Sequence, residues 1–489
     1  MFLSRQGDNS IAFTKISFVI FILLVCFYVV IRFWHLTIYG LWQDEIFSIY
    51  FARLSWGELI SSVAQDIVHP PLFYLLLKIW ISNGGESLFW LRLFPALTAT
   101  IAILPFLLLC RELKMVLAEI NTALMLLGVN SYLIYYSQEL RMYSLLLFFT
   151  LFSLWGFVRF IDNKDDPKIL LPVLFIVNLL LIYTHYFGWL VVTTECVCIM
   201  LWRRKQAFSF TAHVVLLAFC FAPWAYMVFR AAEKQGLKGN LGWLERPNVS
   251  SLIWYYAILH GSFDVPRTTF LGFLIFGFPL LLLAWQVLKR KNGLHVRSAL
   301  MLALFSFLPV SLAFLASQIL PQSIWGERYL IIAAAPYLTL VAVAVNRLPH
   351  QWGRAIFILL VTTWVTASCV YALGRDNKKV DWEMLTRKMM QAESAQAKNV
   401  KVYVFEGWVA YPIKYYLESS GGQSFEVDLI KEARDVTGTH FWVAFRNTTW
   451  RAENLPQDII RSAGCQVTQE IRGRDWNHKV TIFSAECQR

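Results

Sequence analysis

Charged residues are scarce in this chain, and their scarcity excludes an ordinary water-soluble protein. Of 489 residues only 16% are Asp, Glu, Lys or Arg, whereas 57% are hydrophobic and the mean hydropathy is +0.51. A soluble domain carries roughly a quarter charged residues. The apolar residues form long runs, such as residues 16–31 and 356–373, and a helix needs about 20 residues to cross the hydrocarbon core. The composition predicts a polytopic α-helical membrane protein.

Signatures of several other protein classes are also missing. No glycine-rich phosphate loop opens a helix of the polar C-terminal part, so nucleotide binding is not supported, and no internal repeat or low-complexity tract occurs. The eight cysteines lack metal-ligand spacing. Six of them lie in or beside apolar runs, where burial as small hydrophobic residues is expected: Cys26, Cys110, Cys196, Cys198, Cys220 and Cys369. Cys465 and Cys487 lie in a polar tail and can form a disulfide if that tail lies outside the cytoplasm.

The apolar runs predict eleven membrane spans, at residues 15–37, 88–110, 115–134, 141–161, 169–184, 186–202, 208–230, 268–288, 298–317, 328–346 and 354–374. The first run is too long for a signal-peptide core and lacks a small-residue cleavage site, so we expect an uncleaved span. Residues 70–81 are apolar but short, which favours a juxtamembrane or partly inserted helix and leaves a span count of about 11–13.

The net charge of +12 lies largely in short loops and does not require a nucleic-acid partner. Four basic loops fall on one side of this topology, which the positive-inside rule places in the cytoplasm: residues 111–114, 203–205, 289–297 and 346–354. The opposite side receives the loop 38–87, the loop 231–267 and everything after residue 375. The sequence therefore predicts a transmembrane module over residues 1–375 and a soluble extracytoplasmic domain over residues 376–489.

The C-terminal domain has the pattern of a small α/β fold. Short strand-like runs alternate with helical stretches. The strands are expected at residues 400–406, 440–445 and 478–483, and the helices at residues 381–397, 411–420 and 455–463.

Polar and aromatic residues from five separate loops or helix ends collect on the outward side of the predicted topology. A charge at the centre of a span costs about 2.5–3.5 kcal/mol, and less at the rim, so each residue alone can be solvated. Convergence from five loops instead predicts a functional site. The set comprises Asp44, Glu45, Asp66, His69, Glu139, Arg141, Tyr143, His185, Glu327, Arg328 and Tyr329.

Each member of this set also has a purely structural interpretation. Residues 44–45 can cap an interfacial helix, because carboxylates are favourable at helix N-termini. His69 precedes two prolines and can mark the turn into the next helix. His185 can belong to an aromatic belt, and residues 327–328 can anchor a span at the membrane interface.

A transfer reaction on the outer side of a membrane explains the mixture of carboxylates, histidines and arginines. No nucleotide sugar is available there, so an activated sugar must arrive on a lipid, typically a polyprenyl phosphate. A carboxylate must accept the proton of the acceptor hydroxyl, and cationic groups must stabilise the charge on the departing phosphate. Arginine is suited to phosphate through its forked, permanently charged guanidinium.

The residues also match a known family in order along the chain. The pair Asp44-Glu45, the motif D-x-x-HPPL at residues 66–72, YSQELRMYSLLLF at 136–148, THYF at 184–187 and ERYL at 327–330 resemble GT-C polyprenyl-phosphate-sugar glycosyltransferases. The likeness is greatest to the bacterial branch related to protein O-mannosyltransferases and aminoarabinose transferases. It covers residues 15 to about 375, as the ordered motifs show.

The resemblance implies a transmembrane module with active-site carboxylates in the first outward loop. Carried over, Asp44 is the catalytic base with Glu45 beside it, and Asp66 is a second active-site carboxylate. His69 stands where aminoarabinose transferases place a lysine before the proline pair, so it is expected to contact phosphate. The remaining expected phosphate or sugar contacts are Arg141, Arg328, Tyr329, His185 and Glu139.

The resemblance further implies an inverting reaction that requires no metal ion, with metal binding by Asp44, Glu45 and Asp66 as a secondary alternative. The expected location is the bacterial inner membrane, with the active site and C-terminal domain facing the periplasm or exterior. The acceptor, a glycan, lipid or protein hydroxyl, stays open. A transporter or flippase of lipid-linked sugars is the alternative function, although the broken-helix pairs and inverted repeats of transporters are not evident.

Overall fold

A computed structural model describes residues 4–162, 167–236, 241–261, 266–289, 294–374, 381–393, 399–422, 424–430, 438–446, 464–474 and 479–487. The chain forms two compact units. The first comprises Met1–Trp34, Leu54–Gly85 and Trp90–Gly374. The second comprises His35–Arg53, Glu86–Phe89 and Arg375–Arg489. The C-terminal residues therefore share a unit with part of the segment between residues 34 and 90.

The first unit consists of helices. They are α1 (Ser4–Phe33), α3 (Trp56–Asp66), α4 (Leu72–Gly84), α5 (Leu88–Ile101), α6 (Ile103–Glu112), α7 (Leu117–Val129), α8 (Ser131–Ser137), α9 (Tyr143–Ile161), α10 (Pro167–Thr184), α11 (Gly188–Trp202), α12 (Ala207–Gln235), α13 (Val249–His260), α14 (Pro266–Lys289), α15 (Leu294–Ile319), α16 (Ile331–Asn346) and α17 (Gln351–Gly374). A short 3-10 helix, Glu327–Leu330, leads into α16.

Among the described residues, eight helical segments are long and apolar enough to cross a membrane, or nine if the bent pair α7–α8 is one span. Helices α10 and α11 are apolar but shorter. Each of the eleven predicted spans coincides with a helix or a consecutive helix pair. The polytopic helical membrane fold is therefore confirmed.

Helix α16 lies at the centre of the first unit. In its span 94% of the residues are buried, compared with 11% in the span of α1. Its small residues, such as Ala333, Ala334 and Ala335, are almost fully buried, and small side chains let neighbouring helices approach closely. The 3-10 helix that carries the ERYL motif is thus attached to the most enclosed helix of the unit.

The predicted span at residues 115–134 is formed by two helices, because the helix breaks at Asn130. Helices α7 and α8 are bent by 61°. The fully buried Asn130 caps α8 by accepting the amide of Leu133 (3.1 Å), and its Nδ2 donates to the carbonyl of Leu259 (2.9 Å). A buried amide that makes these bonds stabilises the break. The bend directs α8 into the loop 138–142.

The short apolar segment after the proline pair is a helix, as predicted. Helix α4 has 13 residues, which gives a length of about 20 Å, well below the roughly 30 Å of a hydrocarbon core. The preceding α3 ends at Asp66, and Ile67 adopts a left-handed conformation with φ of 57°. This turn places His69 between the two helices.

The second unit contains a five-stranded mixed sheet in the order β2-β1-β3-β5-β4. Its elements are α2 (Gln43–Arg53), α18 (Trp382–Ala392), β1 (Val400–Val404), α19 (Gly407–Ser419), β2 (Phe425–Leu429), β3 (His440–Arg446), β4 (Cys465–Arg474) and β5 (Lys479–Cys487). Strands β1, β2 and β3 are parallel, whereas β5 runs antiparallel to β3 and β4.

The three predicted strands correspond to β1, β3 and β5, and two of the predicted helices to α18 and α19. The third predicted helix, at residues 455–463, lies outside the described residues. Strands β2 and β4 were not predicted. Cys465 and Cys487 are joined by a disulfide between β4 and β5, as the sequence allowed.

Candidate active site

Four helix-end loops of the first unit meet at a cluster of aromatic rings. His69 comes from the α3–α4 loop, His185 from the α10–α11 loop, and Tyr329 from the 3-10 helix before α16. The ring centroids of His69 and His185 are 5.4 Å apart, and those of His185 and Tyr329 are 4.7 Å apart. Tyr143, at the start of α9, lies 6.4 Å from Tyr329. Convergence of these loops, expected from the sequence, is therefore observed for these residues.

Two arginines flank the rings. Arg141 is only 4% exposed, and its guanidinium donates to the Tyr74 hydroxyl at 3.5 Å. Arg328 stacks on Trp243, with its guanidinium carbon 4.8 Å from the ring centroid. Both arginines act electrostatically on His69. The site therefore combines buried positive charge with imidazole rings.

Both histidines of the cluster are neutral near pH 7. Burial, together with the charges of Arg141 and Arg328, lowers the pKa of His185 to about 3. Burial first, and then Arg141, His185 and Arg328, hold the pKa of His69 well below its ordinary value. A buried cationic imidazole beside two guanidinium groups is unfavourable both in solvation and in charge.

Three ring nitrogens of the two histidines are available to hydrogen-bond a ligand. His185 Nδ1 accepts the amide of Phe187 at 3.1 Å, so its proton resides on Nε2. Within the described part of the chain, His185 Nε2 and both ring nitrogens of His69 are buried without a hydrogen-bond partner. A neutral imidazole offers one donor and one acceptor. Because unpaired buried polar groups are unfavourable, the three nitrogens indicate a polar ligand.

Tyrosines form a further wall of the cluster. The ring of Tyr136 lies 4.9 Å from that of Tyr143, whose buried hydroxyl has no hydrogen-bond partner among the described residues. The sequence grouped Tyr143 with the outward residues without giving it a role, and it did not identify Tyr74 or Tyr136. With 20 tyrosines in the chain, only the fold distinguishes Tyr74 and Tyr136.

The carboxylates of the first unit lie beside this cluster. Glu139 is 2% exposed, and its backbone carbonyl accepts the amide of Arg141 at 2.6 Å across a tight turn. The charge of Glu139 acts on the Tyr136 hydroxyl. Asp66, half-buried at the end of α3, acts on the hydroxyl of Tyr186, the residue after His185. Both predicted residues therefore border loops that supply the rings.

Asp44 and Glu45 lie in the second unit, in the first turn of α2. Glu45 is fully buried, and its Oε2 accepts the amide of Trp42 at 3.1 Å. This bond closes the N-terminus of α2, which agrees with the capping interpretation for Glu45. The backbone carbonyl of the half-buried Asp44 accepts the Ser48 hydroxyl at 3.0 Å.

The sequence left metal binding by Asp44, Glu45 and Asp66 as an alternative. Across the described ranges, no group of three or more His, Cys, Asp or Glu side chains is arranged to hold a metal ion.

Comparisons with known proteins identify the fold. No family model and no curated protein matches the chain. Among solved structures, apo ArnT from Cupriavidus metallidurans superposes with a TM-score of 0.60 at 13% identity, over 94% of this chain and 97% of ArnT. ArnT bound to undecaprenyl phosphate gives 0.57 at 12% identity over the same shares.

An Archaeoglobus fulgidus oligosaccharyltransferase tethered with an acceptor peptide superposes with a TM-score of 0.50 at 13% identity, over 82% of this chain and 62% of its own. These neighbours are GT-C glycosyltransferases. At such identities the likeness concerns the fold. It confirms the predicted resemblance at that level: the chain is a multi-pass membrane protein with the GT-C fold.

Proposed function

We propose that this protein is an integral-membrane glycosyltransferase that moves a sugar from a polyprenyl-phosphate donor to an extracytoplasmic acceptor with inversion. The observation that carries the proposal is the cluster of buried Arg141, His69 and His185 with half-buried Arg328, in which three imidazole nitrogens lack partners among the described residues. The GT-C fold supports it, since ArnT was solved with undecaprenyl phosphate. The proposed location is the bacterial inner membrane, with the site and the second unit facing the periplasm or exterior.

The cluster suits a phosphate that gains charge as it departs. In the proposed reaction the acceptor oxygen bonds to the anomeric carbon, while the bond from that carbon to the phosphate oxygen breaks. The polyprenyl phosphate leaves with the electron pair. Arg141 and Arg328 supply permanent positive charge, and neutral His69 and His185 supply N–H donors. Enclosure by helices strengthens these interactions, because water is excluded.

The acceptor hydroxyl must lose a proton in this step. We assign the proton to the carboxylate of Asp44, on the resemblance of the Asp44-Glu45 pair to the carboxylates of the family. Glu45 already closes the N-terminus of α2, which leaves Asp44 as the better base of the two. Asp66 is proposed as an additional site carboxylate, and Tyr329 and Glu139 as contacts to the donor.

The test is transfer of labelled sugar from polyprenyl-phosphate donors to envelope acceptors, in membranes that contain matched amounts of wild type or Asp44→Asn. We expect Asp44→Asn to lose at least about 100-fold in transfer, because general-base catalysis contributes that much, while its affinity for donor is unchanged. Near-normal transfer by Asp44→Asn would remove Asp44 from the mechanism. Lipid movement by wild type without any transfer would favour a flippase instead.

A further inference from the structure

A groove of mixed polar and apolar lining adjoins the arginine and histidine cluster within the first unit. It has a volume of about 440 Å³ and is lined by Asn248, Ser250, Ser251, Trp254, Thr269 and Glu327, with one aliphatic neighbour. These residues come from the start of α13, the start of α14 and the 3-10 helix before α16. None of them is needed for the phosphate contacts described above.

The groove adjoins the phosphate cluster through consecutive residues. Glu327 lines the groove, and Arg328 follows it in the same 3-10 helix. Consecutive Cα atoms are about 3.8 Å apart, and residues of a 3-10 helix point in directions about 120° apart. The charges of Glu327 and Arg328 both act on the Tyr136 hydroxyl. Groove and cluster are thus neighbours along one 3-10 helix.

The groove has the chemistry of a sugar-binding surface. Hydroxyl and amide groups of Ser250, Thr269 and Asn248 line it beside the indole of Trp254, which is 39% exposed. Polarised C–H groups of a sugar pack on the electron-rich face of an aromatic ring, and a carboxylate accepts hydrogen bonds from sugar hydroxyls. Glu327 is the sole charged side chain in the described lining, so negatively charged sugars are repelled.

We propose that this groove is the subsite for the transferred sugar, and that it selects a sugar that bears hydroxyl groups and no negative charge. This inference rests on the proposed function, since it assigns the sugar half of a donor whose phosphate is held by the arginine and histidine cluster. Glu327 accepts hydrogen bonds from the sugar hydroxyls, and Trp254 packs on one face of the ring.

The test separates binding of the sugar from binding of the lipid phosphate. Affinities of the purified full-length protein are measured for undecaprenyl phosphate alone, for its conjugates with glucose, galactose, mannose and arabinose, and for its glucuronate conjugate. We expect at least one neutral sugar to increase wild-type affinity above that for undecaprenyl phosphate. Glu327→Gln should reduce this sugar-dependent increase in affinity about tenfold, as expected for loss of a charged hydrogen bond. It should also reduce the ratio of the affinity for the neutral-sugar conjugate to the affinity for the glucuronate conjugate.

Matched variants control for general damage. Trp254→Leu should also lose the sugar-dependent gain, whereas Glu233→Gln and Trp352→Leu, which change exposed residues of α12 and α17, should retain it. Affinity for sugar-free undecaprenyl phosphate should stay within about twofold of wild type in Trp254→Leu and in the two surface variants, because the phosphate contacts lie elsewhere. Glu327→Gln should not weaken it, since removing a negative charge beside Arg328 favours an anionic ligand.

Each other outcome is decisive. An unchanged sugar-dependent gain in both groove variants, equal loss of affinity for sugar-free lipid, or no gain from any neutral sugar overturns the subsite while leaving the proposed function intact. Failure of wild type to bind undecaprenyl phosphate or any conjugate overturns the proposed function itself, and the subsite with it.

Discussion

Replacing His69 with phenylalanine should affect function and stability in opposite directions. The His69 ring is 2% exposed and packs edge-on against His185 and Tyr329, at centroid distances of 5.4 and 5.8 Å. Phenylalanine retains an aromatic ring in that place and removes both nitrogens. Because neither nitrogen has a hydrogen-bond partner among the described residues, the substitution breaks no hydrogen bond of the described structure.

The expected magnitudes follow from this environment. Each buried polar group left unpaired costs about 1–3 kcal/mol, and removing two such groups stabilises the fold. The larger phenyl ring costs about 1–3 kcal/mol through overpacking. Because the gain from removing two unpaired groups exceeds the overpacking cost at the middle of both ranges, the free energy of unfolding should rise by about 2 kcal/mol. Transfer should fall about 10²–10³-fold, which is typical for removing one donor to developing negative charge.

His260 provides a matched control. It is also fully buried and stacked among aromatic rings, and its Nδ1 has no partner among the described residues, but its Nε2 is hydrogen-bonded to the Tyr337 hydroxyl at 2.6 Å. His260→Phe leaves that hydroxyl without its histidine partner, and should be less stable than His69→Phe by about 1 kcal/mol or more. Because His260 is not among the proposed phosphate contacts, transfer by the folded fraction of this variant should be retained.

Thermal unfolding can be followed with a thiol-reactive dye, since Cys110, Cys198 and Cys369 are buried and free. Donor transfer is measured on the same preparations. A His69→Phe variant no more stable than His260→Phe would show that the His69 nitrogens are satisfied in the folded protein. Normal transfer by a stable His69→Phe would remove His69 from the phosphate site.

Three further predictions concern protonation, the disulfide and metal ions. The rate of sugar transfer between pH 6 and 8 should show no inflection near pH 6.5, because the pKa of His185 is lowered to about 3 and that of His69 is also well below its ordinary value. A step in the rate near pH 6.5 that His69→Phe abolishes would contradict this. The free energy of unfolding should instead decline as pH falls from 6.5 towards 3, by up to about 1.4 kcal/mol per pH unit for each histidine, since the unfolded chain takes up the proton. His185→Gln should reduce the dependence of the thermal-unfolding midpoint on pH. Paired replacement of Cys465 and Cys487 by serine opens a loop with a sequence separation of 22 and should destabilise the second unit by about 3 kcal/mol, seen as faster proteolysis of that unit alone. Sugar transfer should continue in the presence of EDTA, because the arginines neutralise the charge of the leaving phosphate. Loss of transfer in EDTA that Mg²⁺ restores would assign this neutralisation to a metal ion.

The helices could be predicted because lipid imposes a simple condition on sequence. A spanning segment must be apolar over its whole length and satisfy its own backbone hydrogen bonds, so hydropathy alone located all eleven helical segments. The break at Asn130 could not be predicted. It depends on the bond from Asn130 Nδ2 to the Leu259 carbonyl, and that partner is 129 residues away. Strands β2 and β4 were missed because they carry charged residues, such as Glu426 and Arg472, and their pairing depends on neighbouring strands.

The sequence predicted which residues belong to the candidate site, but it did not predict their protonation state. Helix-end positions on one side of the topology identified His69, Arg141, His185 and Arg328 together. Neutrality of the two histidines was not predictable, because it results from burial and from the two nearby guanidinium groups. Tyr136 was equally hidden, since its position beside Tyr143 depends on the bend before α8.

Burial of the His69 ring without hydrogen-bond partners among the described residues costs free energy, so the surrounding fold must hold the ring in place. Ile67 has a left-handed backbone, with φ of 57°, a conformation that costs a β-branched residue on the order of 1–3 kcal/mol. Pro70 and Pro71 then restrict the chain leaving His69. These costs are met by apolar packing of α3 and α4, and they are incurred before any ligand arrives. A phosphate that accepts the N–H of neutral His69 therefore gains a hydrogen bond without having to reorganise the loop, which is the condition under which electrostatic stabilisation of a leaving group is most effective.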